Sequence, residues 1–190
     1  MKLLEERIAQ DGRIIGDDVL KVDSFLNHQM DPKLFKEMAL EWKRLYDGAG
    51  INKIVTIEAS GIGIACVAGL EFDCQVVFAK KSKTRNTPED SYSATVKSFT
   101  RGTVNDIYIS KKYLNPGDKV FIIDDFMAMG EAARGLIQIV RESGAELVGV
   151  GIAVEKAFQP GGDEIRKSGV RVESLARVIE MGEDIGIKFC

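Results

Sequence analysis

Two adjacent carboxylates, Asp124 and Asp125, are the side chains whose type and position point most directly to chemistry. They follow the apolar run 120–123, which is short, continuous and β-prone. Such a run predicts a strand that is buried on both faces and ends at the acidic pair. In an open α/β sheet, ligands bind outside the carboxyl ends of the strands. The acidic pair is therefore expected at the edge of the sheet where a ligand would bind.

A tight loop and a helix follow the acidic pair. Ala128 and Gly130 are small, and the amphipathic run 131–143 predicts a helix. A helix N-terminus presents free N–H groups and the positive end of a dipole, which suits a phosphate. Two carboxylates beside such a cradle suit a ligand that also carries hydroxyl groups or a magnesium ion. The stretch predicts a site for a sugar phosphate.

The remaining elements must position this site. The predicted helices cover residues 1–12, 32–46, 64–70, 131–143 and 163–167, and Asp31 is the expected N-cap of the second. The predicted strands cover residues 53–58, 75–80, 103–110, 120–123, 147–154 and 170–175. The order contains two βαβ units, which implies parallel pairing and a doubly wound α/β fold. The polar, lysine-rich segment 81–100 is expected to be a functional lid or a disordered segment.

Composition limits the classes of protein. The chain has 190 residues, which fits a single domain over 1–190. A net charge of −3 gives no basic excess, so nucleic acid is not the expected partner. The three cysteines are expected to be reduced thiols of a cytoplasmic protein. No apolar run approaches the roughly 20 residues that span a bilayer, and the N-terminus does not have a signal-peptide pattern.

Residues 120–132 resemble the phosphoribosyl-diphosphate signature of type I phosphoribosyltransferases: an apolar run, two acids, then a glycine between small residues. The family usually has hydroxyl residues around the glycine, where this chain has Met129 and Ala132. Backbone N–H groups would then do more of the 5′-phosphate binding. The resemblance implies an α/β fold with an open parallel sheet and flanking helices. It also implies a flexible hairpin or lid over about 82–98 and a small hood from about 1–30 and 156–190.

Two further segments match this family. Ala59, Ser60 and Gly61 follow the first core strand, where such enzymes have a diphosphate-binding loop. Small residues there let backbone amides reach an anion. Lys81 begins the polar segment that matches the family's flexible catalytic loop, and it is expected to hold the diphosphate.

More specifically, the chain resembles the bacterial xanthine phosphoribosyltransferases over its whole length. The matching segments are residues 19–29, 98–100, 122–126 and 155–161. The resemblance implies that Leu20, Asn27 and Lys156 contact the purine. The residues that it implies for binding phosphoribosyl diphosphate are Ala128, Met129, Gly130, Glu131 and Ala132. From its position and chemistry, Phe158 is expected to pack on a face of the purine.

The implied reaction joins xanthine to phosphoribosyl diphosphate. Asp124 and Asp125 would hold the ribose hydroxyls, and Lys81 would act on the diphosphate. Mg²⁺ is expected with the diphosphate and without a direct protein ligand, and the chain is expected to form a homodimer with no membrane partner. Two alternatives stay open: the same chemistry on guanine, hypoxanthine or adenine, and a non-catalytic regulator that senses phosphoribosyl diphosphate.

Overall fold

The computed structural model describes residues 1–16, 18–82, 90–97 and 104–190. The helices are α1 Lys2–Asp11, α2 Pro32–Leu45, α3 Ser60–Phe72, α4 Glu131–Glu142 and α5 Gly161–Lys167. The strands are β1 Arg13–Ile15, β2 Val19–Lys21, β3 Lys53–Ile57, β4 Gln75–Ala79, β5 Ser91–Lys97, β6 Val104–Ser110, β7 Lys119–Met127, β8 Glu146–Lys156, β9 Val172–Gly182 and β10 Gly186–Phe189. Residues 83–89 of the predicted lid and the segment 98–100 lie outside the described residues.

A six-stranded sheet in the order β10-β9-β8-β7-β3-β4 forms the centre of the molecule. The five neighbouring strands from β9 to β4 are parallel, and β10 pairs antiparallel with β9 at one edge. Helices α1, α2 and α3 contribute to one core, and α4 packs with the β5–β6 ribbon in a second core. The predicted α/β class with a mostly parallel sheet is confirmed. None of the helices in the described segments is both long and apolar enough to cross a membrane.

Helix α2 shows how local sequence sets an element. The carboxylate of Asp31 accepts hydrogen bonds from the backbone N–H groups of Lys33 and Leu34, and Pro32 occupies the first helical position. The apolar stripe that ends at Trp42 is buried. The N-cap and the extent that were predicted for this helix are confirmed.

The strand that carries the acidic pair is longer than predicted. It continues through both carboxylates to Met127, because the long neighbour β8 pairs with it as far as Met127 opposite Glu155. The prediction that the strand ends at the acidic pair is wrong: Asp124 and Asp125 lie within β7. Their side chains are only 5% and 8% exposed.

Other boundaries also differ from the predictions. Helix α3 begins at Ser60, where the predicted helix begins at residue 64. Strand β4 lies at the sheet edge and is partly exposed. The last predicted strand begins at Val172, extends to Gly182 and pairs with β10, for which no strand was predicted. Part of the polar segment is regular, since β5 pairs antiparallel with β6.

Candidate active site

A cleft of about 690 Å³ lies at the carboxyl ends of β3 and β7. The predicted site residues that line it are Asn27, Ala59, Ser60, Lys81, Asp125, Ala128, Met129, Gly130, Glu131 and Ala132. These residues come from four separate segments of the chain. Parallel strands bring their carboxyl ends to one edge of the sheet, and this shared edge is the reason that the segments after β3, β4 and β7 meet.

The acidic pair is divided between two environments. Asp125 lines the cleft, and its Oδ2 accepts a hydrogen bond of 3.2 Å from the side-chain amide of Asn27. Asp124 is not part of the cleft wall. Its Oδ1 accepts the backbone N–H of Asp125 at 3.0 Å. Burial, and then the neighbouring Asp125 charge, raise the pKa of Asp124 well above its usual range.

Ala59 and Ser60 form one wall of the cleft at the start of α3, whereas Gly61 is not among the residues that line it. The peptide bond between Glu58 and Ala59 is cis. Gly61 is buried, and a Cβ at this position would overlap the Thr56 hydroxyl oxygen and lie 3.1 Å from Asp124 Oδ1. Only glycine therefore lets the helix start this close to the ends of the two strands. The first turn of α3 presents its N-terminus at this wall of the cleft.

The backbone of Lys81 is attached to the same wall. Its N–H donates to the carboxylate of Glu58, which also lines the cleft. The Lys81 side chain is exposed, and its positive charge opposes the rise in the pKa of Asp124. A cation at this position can reach an anionic group bound in front of α3.

The segment 128–132 forms the opposite wall and leads into α4. Gly130 has a positive φ of 76° and is the N-cap of the helix. Glu131 could repel an anion, but its carboxylate accepts a hydrogen bond of 3.0 Å from Arg134. Since Glu131 is paired with a cation, the N-terminal turn of α4 keeps a character suited to anion binding.

Of the four residues expected to contact the purine, only one lines the cleft. Asn27 lines the cleft, whereas Leu20, Lys156 and Phe158 do not. Leu20 is buried in β2, and Phe158 is 42% exposed after β8. Lys156 is the last residue of β8, and its Nζ donates to the backbone carbonyl of Asp18. Burial lowers the pKa of Lys156.

Several lining residues were not among the predicted site residues. Glu58 and Phe126 flank the predicted segments, so proximity in sequence was an available signal. Val96, Asn105 and Ile107 come from the β5–β6 ribbon. Nothing local in the sequence places that ribbon at the cleft, because its position depends on packing against α4. Across the described segments, no three or more Asp, Glu, His or Cys side chains form a metal-holding cluster.

Comparisons with known proteins identify the family. Residues 22–185 match the sequence model of the family described as "Phosphoribosyl transferase domain". The chain is 54% identical over 185 residues to "Xanthine phosphoribosyltransferase 2" of Clostridium botulinum strain Hall, with 97% of each chain covered. It is 55% identical over 181 residues to "Xanthine phosphoribosyltransferase" of Ruminiclostridium cellulolyticum, with 95% of each covered.

Solved structures share the fold at low sequence identity. Adenine phosphoribosyltransferase of Giardia lamblia, complexed with 9-deazaadenine, superposes with a TM-score of 0.78 at 19% identity, covering 92% of this chain and 97% of that one. The corresponding enzyme of Rhodothermus marinus gives a TM-score of 0.74 at 22% identity, covering 94% and 100%. At these identities the likeness shows the fold alone.

Proposed function

The chain belongs to the phosphoribosyl transferase family, and on that premise we propose that it is a xanthine phosphoribosyltransferase of purine salvage. It joins xanthine to 5-phospho-α-D-ribose 1-diphosphate and releases xanthosine 5′-monophosphate and diphosphate. The relatives that share 51–55% of its residues over nearly the whole chain carry that name. The observation that carries the proposal is one cleft that combines a buried carboxylate with two helix N-termini.

Each of the two helix N-termini binds a different anionic group of the sugar substrate. Residues 128–132 at the start of α4 bind the 5′-phosphate, and residues 59–61 at the start of α3 bind the diphosphate. The ribose lies between them, against Asp125. The site thus holds the reacting carbon by binding the groups on either side of it, which reduces the entropic cost of the reaction.

Charge stabilisation accounts for the chemical step. The bond from C1′ to the diphosphate oxygen breaks early and leaves positive charge on the ribose. The carboxylate of Asp125 faces that charge and accepts hydrogen bonds from ribose hydroxyls. Asp124 helps to position Asp125, because its Oδ1 accepts a hydrogen bond from the backbone N–H of Asp125.

Departure of the diphosphate needs positive charge near its oxygens. Lys81 and the N–H groups of residues 59–61 supply part of it. Mg²⁺ carried by the diphosphate supplies the rest when bound, by neutralising the leaving group. The residues fit such an ion without a direct protein ligand, since Mg²⁺ is commonly bound through substrate phosphates and keeps several waters, which the carboxylates of Glu58 and Asp125 at the cleft can hydrogen-bond.

Recognition of the base rests on donors that match the two carbonyl oxygens of xanthine. The side-chain amide of Asn27 and the ammonium of Lys156 are such donors. Leu20 and Phe158 pack on the purine faces. Lys156 exchanges its contact with the Asp18 carbonyl for a xanthine oxygen when the base binds.

The surrounding parts of the single domain complete the active enzyme. The hood consists of residues 1–30 and 156–190, where Gly16 N–H donates to Glu183 at 2.9 Å. The enzyme is cytoplasmic, in keeping with free cysteines at Cys66, Cys74 and Cys190.

The enzyme acts as a homodimer. Helix α3 is apolar along almost its whole length, yet one face of it is uncovered and Leu70 is 80% exposed. A helix that is apolar on all sides is normally buried. A second copy of this chain covers the α3 face next to the edge strand β4.

Steady-state assays with xanthine, guanine, hypoxanthine and adenine test the proposal. Diphosphate release should require phosphoribosyl diphosphate, and kcat/KM should be highest for xanthine. Preference for adenine or hypoxanthine would refute the assignment of the base. Binding of phosphoribosyl diphosphate without turnover of any base, together with a mobility shift of DNA from a purine gene, would identify a regulator instead.

A further inference from the structure

The three carbonyl groups of residues 128–130 are all bound on the protein side of the loop. The Ala128 carbonyl accepts the Gly161 N–H at 3.1 Å, and the Gly130 carbonyl accepts the Arg134 N–H at 2.9 Å. The Met129 carbonyl accepts a hydrogen bond from the Arg134 guanidinium. Gly161 and Arg134 therefore bind all three of these carbonyl groups between them.

The direction of these carbonyl groups sets the direction of the N–H groups. In a trans peptide the C=O of one residue and the N–H of the next point in opposite directions. With their carbonyl neighbours held by the protein, the N–H groups of Met129, Gly130 and Glu131 point away from those contacts. They have no acceptor among the described residues, and the loop lines the cleft.

Arg134 acts on the loop from outside the cleft, since it is not part of the cleft wall. Besides the Met129 carbonyl, its guanidinium binds Glu131 at 3.0 Å and Glu164 of α5 at 3.2 Å. Three partners in different directions fix the orientation of this planar group. The same side chain therefore holds a loop carbonyl and turns a carboxylate of the loop toward itself.

Gly161 supports the loop by close backbone contact. A Cβ at this position would overlap the carbonyl oxygen of Ala128 and the backbone of Met129 and Gly130. Helix α5, which Gly161 begins, is itself held in place. Arg166 makes two hydrogen bonds, of 2.7 and 2.6 Å, to the carboxylate of Glu155, which is 1% exposed.

We infer that Arg134 and Gly161 are positioning residues for the terminal phosphate of the sugar substrate. They bind the loop carbonyls and thereby direct three N–H groups into the cleft. This inference rests on the proposed function, and it explains how the loop binds phosphate without hydroxyl side chains at Met129 and Ala132. Neither residue touches the substrate.

Two variants test the inference, Arg134→Met and Gly161→Ala. We expect each to raise the KM and the Kd for phosphoribosyl diphosphate about tenfold, as the loss of one hydrogen bond would. The KM for xanthine should change by less than about twofold, since the base binds elsewhere. Gly161→Ala changes no charge, so it separates loop geometry from the attraction of Arg134 for an anion. Arg134→Lys should restore part of the affinity, because an ammonium can still reach the Met129 carbonyl.

Arg141→Met, in the exposed last turn of the same helix, and Gly117→Ala, in open space, are the matched controls and should leave both constants unchanged.

An effect of Arg134→Met without one of Gly161→Ala would attribute the role to charge and overturn the inference. Equal increases in both KM values would indicate a general structural role and overturn it too. If Gly161→Ala does not fold, an unchanged Kd in folded Arg134→Met is the refuting result. Failure of the parent to use any base would refute the proposed function instead, and the Kd comparison would still decide the inference.

Discussion

Neighbouring side chains in a strand point to opposite faces of the sheet, so Asp124 and Asp125 have different surroundings. Asp125 faces the cleft and holds Asn27, whereas Asp124 is buried close to Gly61. We therefore propose different roles for the two carboxylates: contact with the substrate for Asp125 and support of Asp125 for Asp124. The three predictions that follow test single side chains of this site.

The first concerns the carboxylate in the cleft. We expect Asp125→Asn to lower kcat by about 100-fold or more, because a charge that faces the developing cation is lost. The free energy of unfolding should stay within about 1 kcal/mol, since the amide oxygen can still accept from Asn27. Steady-state kinetics and urea unfolding provide both values. Asp184→Asn, in an exposed turn, is the control, and near-normal turnover of folded Asp125→Asn would contradict the assignment.

The second concerns pH. The pKa of Asp124 is raised in the folded protein, so the folded state binds this proton more tightly than the unfolded state. The stability that Asp124 contributes is present below its unfolded pKa and is lost as pH rises through the folded pKa. Relative to the parent, Asp124→Asn should therefore gain stability as pH rises from the unfolded pKa of Asp124 through its folded pKa. Urea unfolding at several pH values measures this, and a difference independent of pH would contradict it.

The third concerns the base. We expect Lys156→Met to raise the KM for xanthine about tenfold or more, because a xanthine oxygen loses its charged donor. The KM for phosphoribosyl diphosphate should be nearly unchanged. Kinetics with each substrate varied separately provide the comparison, with Lys167→Met of the exposed end of α5 as the control. A change confined to phosphoribosyl diphosphate would show that Lys156 does not lie at the base.

At the scale of elements, the site depends on how closely α3 approaches the sheet. The helix starts directly over the ends of β3 and β7, and Gly61 occupies the position where no Cβ fits. The Thr56 hydroxyl beneath it is fully buried and has no hydrogen-bond partner among the described residues. The contact between Gly61 and Thr56 can therefore be changed by a substitution of either residue.

We expect Gly61→Ala to lower the free energy of unfolding by about 1–3 kcal/mol, as overpacking does, and to raise the KM for phosphoribosyl diphosphate. Removing the hydroxyl in Thr56→Ala/Gly61→Ala should recover much of both losses, because the added methyl then has room. Urea unfolding and kinetics of the two single variants and the double variant form the cycle. Strictly additive effects would show that this contact does not determine the position of α3.

At the scale of the whole molecule, the uncovered face of α3 predicts the assembly. We expect Leu70→Glu to dissociate the proposed homodimer into monomers, since a buried charge without a partner is costly. Light scattering after gel filtration measures the mass. Ile185→Glu, on the exposed β9–β10 hairpin, is the control. Dissociation by Ile185→Glu but not by Leu70→Glu would place the interface elsewhere.

Local patterns of residue types predicted the α/β class, the order of most elements and most of the segments from which the cleft is built. Periodicity, N-caps and glycines act over a few residues, so α2 and α4 could be predicted closely. The acidic pair and the segment 128–132 were recognisable for the same reason, because each is contiguous in the chain.

The arrangement of the site depends on contacts between segments that are far apart in the chain. Asn27 meets Asp125 across 98 residues of sequence, and the β5–β6 ribbon reaches the cleft only because it packs on α4. Strand β7 extends past the acidic pair because β8 continues to pair with it, which separates Asp124 from Asp125. These features arise from packing between distant segments, and no local pattern of residue types encodes that packing.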